Sequence, residues 1–271
     1  MKVVILAAGD FPTHPIPLKA LREADFVVCC DSAYSSYIPL SQPQAAASSP
    51  ILGEQPECGS SSSPKIGEVA VRRTDGGVCK PFVVIGDGDS LSEQDKRQLG
   101  DRWIHVPEQD YNDLHKAMQW VMSGQWSVVS SQYDCVSQLD TDHQPLITIL
   151  GATGKREDHT LGNISYLVTF TEEHPGIHLE MLTDHGRFLA LTPDPELHTA
   201  HYTLHTFRGQ QISLFTPDPS TAIMSEGLRW PLDNFRPRLW WQATLNEALA
   251  DTFSLTITGP VILFQTYEPK N

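Results

Sequence analysis

Short apolar runs, each followed by a polar turn, recur along the first two thirds of the chain. Five of them begin near residues 3, 26, 82, 103 and 146 and consist mainly of aliphatic and aromatic residues. They are too short for core helices, so they predict strands buried on both faces of a parallel sheet. Apolar residues at helical spacing follow at 18–24, 114–121 and 161–168, which predicts helices that cover this sheet.

The pattern changes after residue 177. Short β-like runs, separated by Pro, Gly and Asp, occur at 179–182, 188–191, 212–215, 253–257 and 261–265. They indicate antiparallel strands in a small sandwich. We therefore predict an α/β fold: a parallel, Rossmann-like sheet with flanking helices over residues 1–184, followed by a smaller all-β sandwich domain over 185–271.

A segment of low complexity interrupts the first part. Residues 41–64 are rich in Ser, Pro, Gln, Ala and Gly and show little apolar periodicity, which indicates a surface insertion. A lid over a functional site is the alternative interpretation. The following stretch, 68–80, contains Thr-Asp-Gly-Gly and predicts a hairpin.

The charge of the chain restricts its partners. Asp and Glu number 33 against 19 Lys and Arg, for a net charge of −14, which argues against binding to nucleic acid or to an anionic membrane surface. A phosphorylated substrate remains compatible if a divalent cation intervenes. Five cysteines without a CxxC motif favour a reducing, cytoplasmic location, and the amino-terminal apolar run is too short for a signal peptide.

Acidic residues follow several predicted strands. Asp31 follows the second strand, Asp87 and Asp89 lie in the sequence GDGDS after the third, and Asp110 and Asp113 follow the fourth. Because the carboxyl ends of parallel strands share one edge, we expect these acids to lie together. The GDGDS acids suit a metal ion, although an Asx turn with an incidental second acid is equally compatible. Likewise, Asp110 or the neighbouring Asn112 could serve as a helix cap.

The stretch 145–164, PLITILGATGKREDHTLGNI, predicts a strand, a tight turn and a helix. Gly151 and Gly154 allow a sharp turn and a close approach of the backbone to a ligand. Arg156, Asp158 and His159 then fall near the amino terminus of the helix, where a charged substrate can bind. The glycine spacing does not fit a Walker loop, and a tight connection without function is the alternative.

The carboxyl-terminal part holds one further candidate, SEGLRWPL at 225–232. It combines Ser225, a glycine, an arginine and Trp230. The alternative is a β-bulge with Trp230 in the core.

These motifs, in this order, resemble the thiamine pyrophosphokinase family over nearly the whole chain. GDGDS is similar to the family's Gly-Asp-x-Asp-Ser loop, residues 109–113 to its Lys-Asp-x-Thr-Asp stretch, residues 151–163 to its most recognisable run, and SEGLRWPL to its Ser-x-Gly-Leu-x-Trp segment. The chain departs from the family pattern at Gln109 and Asn112, at Gly88 where Phe is usual, at residues 31–33, and in the insertion.

The resemblance implies transfer of a pyrophosphoryl group from ATP to the hydroxyl of thiamine, which gives thiamine diphosphate and AMP. It implies a homodimer with active sites at the subunit interface and a requirement for Mg²⁺. The implied catalytic residues are Asp87, Asp89, Asp110, Asp113, Arg156 and Asp158, with Asp87, Asp89 and Asp113 as the Mg²⁺ ligands. The implied ATP-side residues are Asp31, Ser90, Asn112, Arg156 and His159, and those on the thiamine side are Ser225 and Trp230.

Two other functions fit the same residues. A different Mg²⁺-dependent transferase or hydrolase acting on nucleotides would retain the aspartates without needing Trp230. A non-enzymatic thiamine or nucleotide sensor would retain the pocket, and the changes at Gln109 and Asn112 are compatible with it.

Overall fold

The five predicted parallel strands and a sixth, at 178–182, form one half of a large sheet; the assignment of 179–182 to the antiparallel sandwich was wrong, because this strand pairs in parallel with its neighbour. The computed structural model describes residues 1–41, 80–126 and 145–269. The strands of this half are β1 Lys2–Leu6, β2 Phe26–Cys30, β3 Phe82–Gly86, β4 Trp103–His105, β5 Leu146–Leu150 and β6 His178–Leu182. Their spatial order is β4-β3-β2-β1-β5-β6, and every neighbouring pair is parallel. β2 and β3 are buried along their whole length, which explains their unbroken apolar sequences.

The carboxyl-terminal strands are antiparallel, as predicted. They are β7 Gly186–Leu191, β8 Ala200–His205, β9 Gln210–Phe215, β10 Ile223–Glu226, β11 Ala243–Glu247, β12 Thr252–Ile257 and β13 Val261–Pro269. Three of them form a separate sheet in the order β10-β12-β8. The other four extend the parallel sheet in the order β7-β13-β9-β11, because β7 turns back and pairs with β6. The sheet is thus continuous across residue 184, and the boundary between domains at that residue stays a prediction.

Helices cover the parallel half. They are α1 Pro15–Glu23, α2 Tyr34–Ser41, α3 Glu93–Leu99, α4 Asp113–Met122 and α5 Glu157–Glu173. Ser92 and Asp95 form a reciprocal capping box at the start of α3, and Asn112 caps α4. These caps end the strand-to-helix loops at fixed residues and so determine which side chains lie at the edge of the sheet.

Two predicted features lie almost wholly outside the described residues. They are the insertion at 41–64, of which residues 42–64 are not described, and the hairpin at 68–80, of which residues 68–79 are not described. No helix in the described ranges has the length and apolar character needed to cross a membrane.

Candidate active site

The loops that follow the parallel strands meet at one edge of the sheet. A backbone hydrogen bond of 2.6 Å from Gly9 N to Gly151 O joins the loop after β1 to the loop after β5. The Lys155 ammonium reinforces this link by donating to the Ala8 carbonyl at 2.6 Å. The glycine-rich turn predicted from the sequence is therefore held against the centre of the sheet.

Asp31 connects the loops after β2 and β3. It directly follows β2, is only 1% exposed, and accepts a hydrogen bond of 3.0 Å from Gly88 N through its Oδ2. Gly88 has a φ of 84°, and a Cβ at this position would lie 2.6 Å from the ring of Trp103. The Trp103 ring thus occupies the space that a larger residue at position 88 would need, which accounts for glycine at a family position where Phe is usual.

Asp113, the first residue of α4, lies beside Asp31. Burial raises the pKa of Asp113, and the charge of Asp31 together with a hydrogen bond between the two side chains raises it further, to about 6. The ammonium of Lys116, 3.5 Å from Asp113 Oδ1, opposes this rise, whereas the charge of Asp87 adds to it. Three carboxylates from different loops therefore act on one another, as expected from the sequence.

Asp87 is fixed by two hydrogen-bond donors. The backbone N of Asp89 donates to Asp87 Oδ1 at 3.0 Å, and the side-chain amide of Gln109 donates to Oδ2 at 2.8 Å. These two bonds, in that order of importance, lower the pKa of Asp87. The Asx turn considered as an alternative is present, but it orients a carboxylate that also interacts with Asp113. Gln109, one of the departures from the family pattern, joins the loops after β3 and β4.

The carboxylate site, defined as Asp31, Asp87 and Asp113, suits a hard divalent cation. Magnesium prefers carboxylate oxygens and is usually held by one or two of them together with water and substrate phosphates. Within the ranges that the structure describes, no three or more His, Cys, Asp or Glu side chains are arranged so that they alone could hold a metal ion. The fit rests on charge: the repulsion that raises the pKa of Asp113 is relieved by a cation placed among these acids.

Asn112 links α4 to α5. Its Oδ1 accepts from His115 N at 3.0 Å, and its Nδ2 donates to Asn163 Oδ1 at 3.0 Å. Asn163, which is 7% exposed, donates in turn to the Ala152 carbonyl at 2.8 Å. Asn112 is therefore a helix cap, as the alternative interpretation held, and its contact with ATP stays a prediction.

Arg156 and Asp158 form a two-point ion pair at the amino terminus of α5. The distances are 3.1 Å from Nε to Oδ1 and 2.5 Å from Nη2 to Oδ2, and His159 N also donates to Oδ1 at 3.0 Å. The hydrogen bond from Arg156 lowers the pKa of Asp158 to about 2. The guanidinium predicted to bind phosphates is thus paired with Asp158 in this structure, and the roles of Arg156, Asp158 and His159 stay predictions.

Three further predicted residues are exposed on the same loops. Asp89 and Ser90 follow Asp87, and Asp110 lies before α4 with its backbone N donating to the Glu108 carboxylate. Their loops place them at the edge where the carboxylate site lies. Their individual roles stay predictions.

The two thiamine-side candidates lie in the antiparallel part. Ser225 is buried in β10 and its hydroxyl accepts from Leu232 N at 2.8 Å. Trp230 is 56% exposed, which excludes the alternative that it belongs to the core. Its backbone is fixed on both sides by the Asn246 amide, at 3.1 and 2.7 Å. Trp230 also lines a cavity of about 320 Å³ with Leu232 and Leu245.

Sequence reasoning missed two buried polar residues of the site. Asn163 is the last residue of the run 151–163; it lies in α5, eleven residues after Ala152 in the preceding turn, and this separation gives no sign of the contact. Lys116 lies three residues after Asp113, a spacing that brings the two side chains together on a helix. The spacing of Lys116 from Asp113 was thus visible in the sequence and predicts their contact.

Comparison with known proteins identifies the family. The model for the catalytic domain of thiamin pyrophosphokinase matches residues 18–179, and the model for its substrate-binding domain matches residues 197–264. A rice protein named thiamine pyrophosphokinase 1 is 30% identical over 161 residues, which cover 57% of this chain and 54% of the rice protein. A thiamine pyrophosphokinase of Bacillus subtilis is 26% identical over 161 residues, covering 57% of this chain and 63% of that protein.

Solved structures agree on the fold. Thiamin pyrophosphokinase from Candida albicans superposes with a TM-score of 0.66 at 15% identity, covering 98% of this chain and 90% of that one. The aligned part spans only about half the length of the rice relative, 54%, so the comparison by sequence does not extend over the whole protein. The family models, however, match both parts of the chain in the expected order, and the chain belongs to the thiamin pyrophosphokinase family.

Proposed function

We propose that this protein is a thiamine pyrophosphokinase, which transfers the pyrophosphoryl group of ATP to the hydroxyl of thiamine and forms thiamine diphosphate and AMP. The observation that carries the proposal is the convergence of Asp31, Asp87 and Asp113 from three successive loops. A transfer of this type needs charge neutralisation and positioning more than covalent catalysis. Clustered carboxylates at the end of a parallel sheet meet that need when they hold a divalent cation.

Asp87, Asp89 and Asp113 are the proposed magnesium ligands. When bound, magnesium neutralises the phosphate oxygens of ATP. Asp31 fixes the loop that carries these ligands through its hydrogen bond to Gly88 N. Gln109 orients Asp87, and the bridge from Asn112 to Asn163 holds the loop before α4 against α5.

The exposed guanidinium of Arg156 is the proposed contact to the phosphates of ATP. Its side chain is 70% exposed, so the guanidinium can exchange Asp158 for a phosphate at little cost. Ser90, in the loop after β3, and His159, in the first turn of α5, are both exposed, and we propose that they complete the ATP side together with Asp31 and Asn112. Asp110 and Asp158, which are also exposed, are proposed as further catalytic residues.

Trp230 and Ser225 are proposed to form the thiamine side. The indole face of Trp230 can hold the thiazolium cation by a cation–π contact. Leu245, which lines the same cavity as Trp230, is exposed. Further large apolar side chains of the antiparallel part are exposed as well: Leu239, Trp240, Trp241 and Leu249. An apolar surface of this kind needs a partner, and we propose a second copy of the chain, which would place the active sites at the interface of a homodimer.

The proposed location is the cytoplasm. Cys29 and Cys30 are both free thiols, buried in β2, as a reducing compartment permits.

Incubation of the pure protein with ATP, Mg²⁺ and thiamine tests the activity. AMP and thiamine diphosphate formed in equal amounts are the expected result. Formation of ADP or free phosphate instead would identify a different nucleotide enzyme. Binding of thiamine without turnover would identify a sensor.

A further inference from the structure

The side chain of Lys116 is buried at an unfavourable place. It is 3% exposed, although lysine is rarely buried unless it is paired. It also lies in the first turn of α4, where the helix dipole disfavours a positive charge. Both the burial and the helix dipole destabilise the charged ammonium, so the surroundings of Lys116 must supply a compensating negative charge.

That charge comes from the carboxylate site. The Nζ of Lys116 lies 3.5 Å from Asp113 Oδ1, which is longer than the roughly 2.8 Å of a short charged hydrogen bond. The same ammonium also helps to lower the pKa of Asp87. Lys116 is therefore shared between carboxylates on two loops instead of being committed to one close pair.

Arg156 does not play this part. Its guanidinium is exposed and bound to Asp158 at two points. The cation that acts on Asp113 and Asp87 in the described part of the chain is Lys116.

We propose that Lys116 is the resident counter-ion of the carboxylate site and makes the site selective for a metal–nucleotide complex over a free divalent cation. Its charge stabilises Asp113 and Asp87 beside one another before substrate arrives. The same charge repels a free cation but not a cation that carries the negative phosphates of ATP. Lys116 is thus a positioning residue that acts through Asp113, and this inference rests on the proposed magnesium-dependent function.

The test compares the binding of Mn²⁺, a paramagnetic substitute for Mg²⁺, to nucleotide-free protein. Electron paramagnetic resonance of free Mn²⁺ gives the affinity without any turnover. Lys116→Met retains the apolar length of the side chain and removes the charge, so Mn²⁺ should bind roughly tenfold more tightly. With Mn²⁺ and the non-transferable analogue α,β-methylene-ATP, the gain should shrink to about threefold or less.

Two control variants separate this effect from others. Lys19→Met removes an equal charge from an exposed side chain of α1 and should leave the Mn²⁺ affinity unchanged. Lys116→Arg retains the charge and should remain within about twofold of the natural protein. Equal or weaker Mn²⁺ binding by Lys116→Met would overturn the counter-ion role. If the natural protein binds free Mn²⁺ only weakly but forms thiamine diphosphate, the counter-ion role is supported. If the natural protein binds no Mn²⁺ even when the analogue is present, the proposed metal site itself is wrong.

A second variant keeps the test decisive if Lys116→Met does not fold. The double variant Lys116→Met/Asp113→Asn removes both charges. Its melting temperature should therefore be higher than that of Lys116→Met alone. Such recovery, measured without metal, is expected from the loss of repulsion between carboxylates. No recovery would mean that Lys116 contributes through packing, which contradicts the proposal.

Discussion

At the scale of single residues, the loop after β3 fixes one carboxylate by hydrogen bonds and leaves a second one exposed. Asp87 accepts two hydrogen bonds that fix its orientation, while Asp89 is exposed beside it. Asp89→Asn keeps the shape of the side chain and removes its charge. We expect turnover to fall at least about 100-fold, because a carboxylate proposed to hold Mg²⁺ against the phosphates loses its charge, while the melting temperature stays nearly unchanged. Steady-state kinetics and thermal unfolding of the same preparation measure both effects, and a fully active variant would show that the loop is only structural.

Gly88 offers a second test at this scale. Its φ is positive, and a Cβ added to it would lie only 2.6 Å from the Trp103 ring, so the loop has no space for a side chain. Gly88→Ala should therefore lower the free energy of unfolding by roughly 1–3 kcal/mol. Denaturant unfolding measures the loss. Unchanged stability would mean that Trp103 moves aside freely.

The sequence could show that Gly88 departs from the family pattern, but it could not show the reason. Trp103 comes from a neighbouring strand, and only the parallel pairing of β3 with β4 brings its ring over the loop. Lys116 is different, because its contact with Asp113 follows from helical spacing alone. Contacts within one element were predictable, whereas contacts between elements depended on the register of the sheet.

At the scale of elements, Asp184 joins two segments that are far apart in the sequence. Its carboxylate accepts from Thr13 N at 2.8 Å and from His14 N at 3.0 Å, which joins the turn between β6 and β7 to the start of α1. Although burial opposes ionisation, these bonds and the one from the Thr13 hydroxyl lower the pKa of Asp184. The carboxylate therefore stabilises the fold in its ionised form.

Asp184→Asn should reduce the free energy of unfolding by roughly 1 kcal/mol at neutral pH. This value is below the usual contribution of a hydrogen bond to a charged group, because Asp184 is partly exposed to solvent. A folded pKa below the unfolded value means that this stabilisation is present above about pH 4 and is lost as pH falls through the folded pKa. Denaturant unfolding of both proteins between pH 3 and 7 measures the difference. A difference that grows on acidification would contradict the sign.

The apolar runs predicted β1 to β5 as parallel strands, since a strand buried on both faces leaves a continuous apolar signal. The run at 179–182 was assigned to the antiparallel part, but β6 pairs in parallel with β5, and the chain turns back only at β7. They could not predict that β7 pairs with β6 and continues the same sheet, because pairing between strands leaves no periodic signal. The predicted sandwich is therefore made of one added sheet and an extension of the first.

At the scale of the whole molecule, the two predicted substrate sides lie on different parts of the fold. Trp230 is on the antiparallel part and is exposed, so Trp230→Ala should cost less stability than the roughly 3–5 kcal/mol of a buried aromatic residue. If it covers the thiazolium, the KM for thiamine should rise roughly 30-fold and the KM for ATP should change little. Trp241→Ala, a similarly exposed residue, is the control. Equal changes in both variants would point to the apolar surface as a whole.

The homodimer has its own test. Mixing Trp230→Ala protein with Asp89→Asn protein should rebuild one intact site in each heterodimer if the two sides come from different subunits. Activity of the mixture well above the sum of its parents is the expected result. Failure to recover activity, with subunit exchange demonstrated, would confine each site to one chain.

The most direct test of the proposed function follows the β-phosphate of ATP. With ATP labelled at that phosphate, transfer of a pyrophosphoryl group places the label in thiamine diphosphate and leaves the AMP unlabelled. We expect all transferred label to appear in thiamine diphosphate, and we expect Asp89→Asn to slow its appearance at least about 100-fold. Label found in ADP or in free pyrophosphate, with thiamine unchanged, would contradict pyrophosphoryl transfer to thiamine.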